Sequence, residues 1–173
     1  MRISKCFWLW GGFSAKDSLY LNEYKTKVQS ILQSPHYEIH ITLSGPYFKI
    51  DNHFLSQLKI FAQNNSILDL YLKNFDFQDQ IFKSFYISIN NTKELETLRK
   101  GILKINKFHF EKDYKPHISL AYGEHKKNIK EELILKLPKL KESIKMNKIS
   151  LVEVNESIKL WNILENFDLK KNL

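Results

Sequence analysis

Two stretches of this sequence follow one plan, and that repetition constrains the fold more than any other feature. A short apolar run at residues 5–10 leads through a helical pattern to an alternating strand bearing His40-Ile41-Thr42. Residues 82–89, a second helical pattern and a strand bearing His117-Ile118-Ser119 repeat the plan. Trp10 and His40 stand 30 positions apart, and Ile89 and His117 stand 28 apart. Like elements at near-equal spacing suggest an internal duplication with pseudo-twofold symmetry, although the two helices are not alike residue by residue.

The rest of the chain fits around these units. Gly11-Gly12 reads as a turn after the first strand. Leu21, Tyr24, Val28 and Ile31 share one face of a helix over 17–33, which Ser34-Pro35 ends because proline lacks an N–H and disfavours helix in the residue before it. Ile39–Leu43 alternates as a strand, closed by Gly45-Pro46. A helix from about Asp51 buries Phe54, Leu58 and Phe61, and residues 66–77 and 82–89 read as strands. Asn91 offers an N-cap answered by Glu94, and Leu95, Leu98, Ile102 and Ile105 form that helix's apolar face. Beyond the strand at His117–Ala121, residues 126–148 carry eight lysines against three glutamates and predict a short helix at 128–136 with a surface loop. Residues 144–154 and 158–164 read as closing strands. A length of 173 residues without a long structureless stretch predicts one domain over 1–173, built from two lobes interleaved by the termini.

Composition narrows the function classes. Hydrophobic residues at 43% and a formal net charge of +8 argue against wholesale disorder and invite a polyanionic partner such as a nucleotide or a short RNA. The charge is almost all lysine, since arginine occurs only at Arg2 and Arg99, and a nucleic-acid binder usually favours the arginine fork. A lone cysteine, Cys6, fits a reduced cytoplasmic setting, and no stretch has the length of a membrane span. The expectation is a cytoplasmic monomer with neither a membrane nor an obligate protein partner.

Strand alternation gives the two short motifs a chemical meaning. Side chains two apart on a strand share a face, roughly 6–7 Å apart. His40 and Thr42 therefore face one way and Ile41 the other, as do His117 and Ser119 against Ile118. A hydroxyl can donate to a phosphate oxygen, and an imidazole titrates near neutrality. Two imidazoles flanking one phosphate make a general acid and a general base, each proton transfer being worth about 10²–10⁴ in rate. His36, His53, His109 and His125 are scattered and form no metal-binding pattern, so the expectation is catalysis without metal or cofactor.

With these residues in view, the chain resembles the 2H phosphoesterase superfamily, and within it the cyclic phosphodiesterase branch. The resemblance is carried by Phe7-Trp8-Leu9-Trp10 leading to His40-Ile41-Thr42-Leu43, by Pro116-His117-Ile118-Ser119-Leu120-Ala121-Tyr122-Gly123, and by Ser157-Ile158-Lys159-Leu160-Trp161-Asn162. It implies a bilobal α+β fold in which two antiparallel sheets with flanking helices surround a central cleft. It also implies hydrolysis of nucleoside 2′,3′-cyclic phosphates or ADP-ribose cyclic phosphate to a 2′-phosphate type of product. Thr42 and Ser119 would hold the phosphate while His40 and His117 share the acid and base roles; for a 2′-phosphate product the expected order is His117 as base and His40 as acid. Tyr122 matches an aromatic that lines the family's site, yet simple alternation puts it opposite His117, and a bulge after Ser119 would bring it back. Trp8 and Trp10 share a face that could stack a base, although aromatics of an N-terminal strand are more often core; Trp161 likewise reads as core, and Lys83 and Lys115 could attract a phosphate, though exposed lysines are the norm. Two other readings stand beside this one. The same site could act on 2′,5′-linked or cyclic oligonucleotides or RNA 3′ ends, which the 126–148 lysines would favour if they border the cleft. Alternatively, the chain could be an RNA-binding module without turnover.

Overall fold

The computed structural model describes residues 5–105 and 113–171, so Arg2 and His109 lie outside the described residues. The elements run β1 (Cys6–Phe13), α1 (Ala15–Leu32), β2 (Ile41–Tyr47), α2 (Asn52–Asn64), β3 (Leu68–Phe77), β4 (Phe85–Ile89), α3 (Lys93–Ile105), β5 (His117–Ala121), α4 (Lys127–Lys136), β6 (Ser143–Val154) and β7 (Asn162–Asp168). Short 3-10 turns at Ile81–Lys83 and Ile158–Leu160 stand where the expected strands at 82 and 158 would have begun. The chain is α+β, with antiparallel strands and flanking helices.

Local chemistry accounts for the helix ends. The Ser14 hydroxyl accepts the Asp17 N–H at 3.2 Å and caps α1, while Gln33 at φ 49° closes it in the left-handed conformation. Leu21, Tyr24, Val28 and Leu32 form its buried stripe, and Ile31 is exposed, because Leu32 lies one full helical repeat beyond Val28. Asp51 caps α2 by accepting the Phe54 N–H at 2.8 Å. At α3 it is Thr92, not Asn91, whose side chain caps, accepting the Leu95 N–H at 3.3 Å.

Two expected turns are absent. Strand β1 continues through Gly11-Gly12 to Phe13, paired along its length with β6. A Cβ on Gly11 would lie 2.7 Å from the Ile41 side chain and overlap Met146, so this glycine allows strands and side chains to approach closely. Strand β2 likewise continues past Gly45-Pro46, a cis peptide, to Tyr47. Gly45 sits at φ 134° with the Trp8 ring where a side chain would stand, 2.8 Å from an ideal Cβ.

The strands join in the order β1-β2-β5-β4-β3-β6-β7, with a further β1–β6 pairing. The two sheets expected from the resemblance are thus fused. Strand β6 takes β1 along one edge and divides the other between β3, at 143–146, and β7, at 148–153. The order β6-β1-β2-β5-β4-β3 reads symmetrically about its centre, with α1 linking β1 to β2 and α3 linking β4 to β5. At that centre, β2 and β5 meet through the Ile41–Ile118 pair. Ile41, Leu43, Ile118 and Leu120 are buried in the main core, along with Leu21 of α1 and Ile102 of α3. Among the described residues no helix is long and apolar enough to cross a membrane.

Because Gly11 has no space for a side chain, Gly11→Val should destabilise the fold by about 1–3 kcal/mol. Urea unfolding of the variant should show a lowered midpoint with an unchanged slope.

Candidate active site

The central strand pair assembles the candidate site. Strands β2 and β5 are antiparallel with Ile41 opposite Ile118. Carrying that register one residue each way sets His40 opposite Ser119 and Thr42 opposite His117, all four on the face away from the two isoleucines. The four side chains form a grid with the hydroxyls on one diagonal and the imidazoles on the other. Diagonal neighbours on an antiparallel pair are separated by about 7–8 Å, room for a phosphate between the two rings.

This grid forms the floor of a cavity of about 360 Å³ lined by His40, Thr42, His117 and Ser119 together with Trp8, Trp10, Gln80, Phe82, Lys83, Tyr122, Val154 and Trp161. Its walls are aromatic. Trp10 lies flat on His40, ring centroids 3.5 Å apart and planes 5° from parallel. Trp161 makes tilted or edge contacts with Trp10, Tyr122 and Phe82 at 5.8–6.1 Å. Phe82 and Trp161 belong to or adjoin the two 3-10 turns, which stand as opposing lips. The Ser119 hydroxyl donates to the Phe82 carbonyl at 3.3 Å, and the Gly123 N–H donates to the Ile81 carbonyl at 2.8 Å, fixing one lip to the second motif.

Both imidazoles are oriented in the same way. Nδ1 of His40 lies 2.7 Å from the Glu38 carbonyl, and Nδ1 of His117 lies 2.9 Å from the Lys115 carbonyl. A carbonyl can only accept, so each Nδ1 carries the hydrogen, and Nε2 of the neutral ring is left with its lone pair. The environments differ. Burial pushes His40 down to about 3, with the charges of Lys25 and His117 adding to the effect against the Glu38 hydrogen bond. His117 is half-buried and also lowered, first by burial and then by Lys83, against its bond to Lys115.

Of the residues singled out from sequence, His40, Thr42, His117, Ser119, Tyr122, Trp8 and Trp10 line this cavity. Tyr122 arrives there because Phe85 pairs with Ala121 while Tyr86 pairs with Ser119, an extra residue after Ser119 that shifts the strand's phase. Trp161 stands in the wall rather than the core. Lys83 lines the cavity, over the Tyr86 ring at 4.7 Å, and Lys115 does not. Tyr114 supports the site from outside, donating from its hydroxyl to the Thr42 carbonyl at 2.7 Å. Tyr47 is core, donating to Ser44 at 2.6 Å. None of residues 126–148 lines the cavity; Lys130 pairs with Asp79, Lys141 with Asp17 and Lys145 with Asp69. Arg99 is also used internally, its Nε donating to the Leu43 carbonyl at 2.9 Å. Sequence reasoning missed Gln80, Phe82 and Val154, which reach the cavity through a turn and a strand end that carry no local motif.

Fold and paired motifs are those of a two-histidine phosphoesterase. The chain belongs to the 2′-5′ RNA ligase superfamily, whose family model matches residues 23–157. Among solved structures it is similar to TT0787 of Thermus thermophilus, at 15% identity and a TM-score of 0.64, covering 97% of this chain and 100% of that one. It is also similar to E. coli LigT, at 11% identity over 96% of this chain and 98% of that one, with TM-scores of 0.62 for the apo form and 0.60 for the complex with 3′-AMP. A comparison with the curated proteins gave no match. Phosphodiesterase chemistry is the activity that the family membership supports.

The depressed His40 has a thermodynamic consequence. The unfolded chain binds a proton at this histidine near pH 6.5, and the folded chain resists it down to about 3. Folding stability should therefore fall as pH drops through that window, by up to about 1.4 kcal/mol per pH unit for this group. Chemical unfolding between pH 4 and 7 should show a smaller slope for His40→Asn than for the wild type.

Proposed function

We propose that the chain is a metal-independent phosphodiesterase that opens nucleoside 2′,3′-cyclic phosphates, or ADP-ribose cyclic phosphate, to the 2′-phosphate type of product. The observation that carries this reading is the diagonal grid, two imidazoles and two hydroxyls on one face of the β2–β5 pair beneath an aromatic cavity. With the phosphate at its centre, Thr42 donates to one non-bridging oxygen, and the Ser119 hydroxyl turns from the Phe82 carbonyl to donate to another. One Nε2 removes a proton from the attacking water, a P–O bond forms to that water, and the protonated Nε2 across the diagonal gives its proton to the departing ribose oxygen. The contrast between the two environments favours His40 as base, since it is held neutral more firmly, and His117 as acid. That is the reverse of the order expected from the resemblance. Trp161 and Phe82 suit a stacked base, and the complex of a structural neighbour with 3′-AMP is in keeping with a nucleotide-sized occupant. Among the lysines of 126–148, Lys130, Lys141 and Lys145 hold ion pairs and none of the eight lines the cavity, so they give the oligonucleotide reading no support of their own.

Incubation with adenosine 2′,3′-cyclic monophosphate in EDTA should yield adenosine 2′-phosphate, with the product isomer identified by chromatography. His40→Ala and His117→Ala should each lower kcat by about 10²–10⁴. Near wild-type rates in both variants, or loss of activity in EDTA, would sink the mechanism. Trp161→Ala should act mainly on KM, because a base stacked on an aromatic ring contributes about 1–3 kcal/mol; steady-state kinetics on the same substrate check this.

A further inference from the structure

The segment that delivers His40 has no regular structure of its own. Between the end of α1 at Leu32 and the start of β2 at Ile41 the chain forms neither helix nor strand, so other groups must fix its path. Gln29 of α1 donates to the Pro35 carbonyl at 2.8 Å, and the Tyr122 N–H donates to the Ser34 hydroxyl at 2.8 Å. The Tyr37 ring stacks on Tyr122 with centroids 4.0 Å apart and meets His40 edge-on at 6.4 Å. Beneath these lies Lys25 of α1, only 2% exposed, whose ammonium donates to the Tyr37 carbonyl and lies 4.2 Å from the centre of the Tyr37 ring. Lysine is almost never fully buried without a partner that holds its charge. Here the partner is the backbone three residues before the imidazole.

We propose that Lys25 is a positioning residue for His40: its ammonium grips the Tyr37 carbonyl from the helix side, fixes the path of residues 33–40 and sets a positive charge behind the imidazole. This rests on the reading of His40 as a catalytic group. The Tyr37 hydroxyl is buried without a hydrogen-bond partner among the described residues, so this tyrosine is anchored through its carbonyl and its ring. The groups around His40 are Lys25 from α1, Tyr37 and Glu38 from the segment, His117 from β5 and Tyr122 just beyond it, and Lys148 of β6 across a small concavity. Lys148 is half-buried and therefore better screened by water, whereas the Lys25 charge acts through the protein interior. Burial lowers Lys25 itself to about 8, against the pull of Glu38, so the ammonium is still charged at neutral pH. A cation at that position makes protonation of His40 less favourable and keeps its Nε2 available as a base.

The test is a pH titration of the histidine ring signals by NMR in the wild type, Lys25→Met and Lys25→Arg, followed by kcat/KM profiles on the cyclic phosphate. Removing the cation should raise the His40 midpoint by on the order of one pH unit and move the acidic limb of kcat/KM upward with it. The arginine variant should hold the midpoint near its wild-type position. In Lys25→Met, kcat should fall by about tenfold or more with KM little changed, as expected for a displaced catalytic ring. A His40 midpoint in Lys25→Met equal to that of the wild type overturns the proposal. A measurement on the wild type stands even if the methionine variant fails to fold. The Lys25 ammonium should titrate at about 8 and the Tyr37 carbonyl carbon signal should move with it, and a carbonyl signal that stays still through that titration overturns the proposal equally. Absence of turnover on any cyclic phosphate would instead strike the proposed function, while the NMR results would still decide the role of Lys25.

Discussion

The backbone pairing of Ile41 with Ile118 sets the register on which the candidate site depends. These residues lie in strands from different halves of the chain, and their antiparallel register decides what stands opposite what. Because both isoleucines point into the core at 0% exposure, the flanking side chains must face the other way. A slip of one residue would turn one strand's histidine and hydroxyl into the core and its isoleucine into the cavity. Burial of the apolar pair and construction of the grid are therefore one event, and the hydrophobic effect that fixes the register also aligns the polar groups.

Around this pair the two halves are similar in backbone and different in environment. Each histidine gives its Nδ1 hydrogen to the carbonyl two residues earlier, which presents both Nε2 atoms alike. Trp10 covers the face of His40, and Lys25 lies behind it, fully buried. His117 meets Tyr86 edge-on at 5.2 Å and has Lys83 beside it on the cavity wall. The two rings therefore share a backbone arrangement while their surroundings differ.

Several features were legible in the sequence because they are local. Alternation at residues 39–43 and 117–121 revealed the polar and apolar faces, and Pro35 marked the end of α1. The bulge after Ser119 followed from a mismatch between Tyr122 and simple alternation. Other features were misread for an equally physical reason. Gly11-Gly12 resembles a turn by composition, but pairing with β6 carries the two residues on in a strand, and Met146, Ile41 and Lys148 fill the space where side chains would stand. Trp161 reads as core by hydrophobicity, and only the position of the 3-10 turn before it brings it to the cavity. Lys25 gave no signal at all, since a lysine on a helix is ordinarily solvated.

The sequence by itself determined the elements that depend on near neighbours: the helices with their apolar stripes, the alternating strands, and the pairing of each histidine with a hydroxyl two residues on. It also carried the likeness to two-histidine phosphoesterases in its short motifs. Only the tertiary structure decided that the strands close into one connected set, that the imidazoles lie on a diagonal, that aromatic lips stand over them, and that a buried ammonium lies behind one of the two rings. Those facts depend on contacts between residues far apart in the chain, such as Ile41 with Ile118 and Phe82 with Trp161, whose register and burial no local pattern encodes.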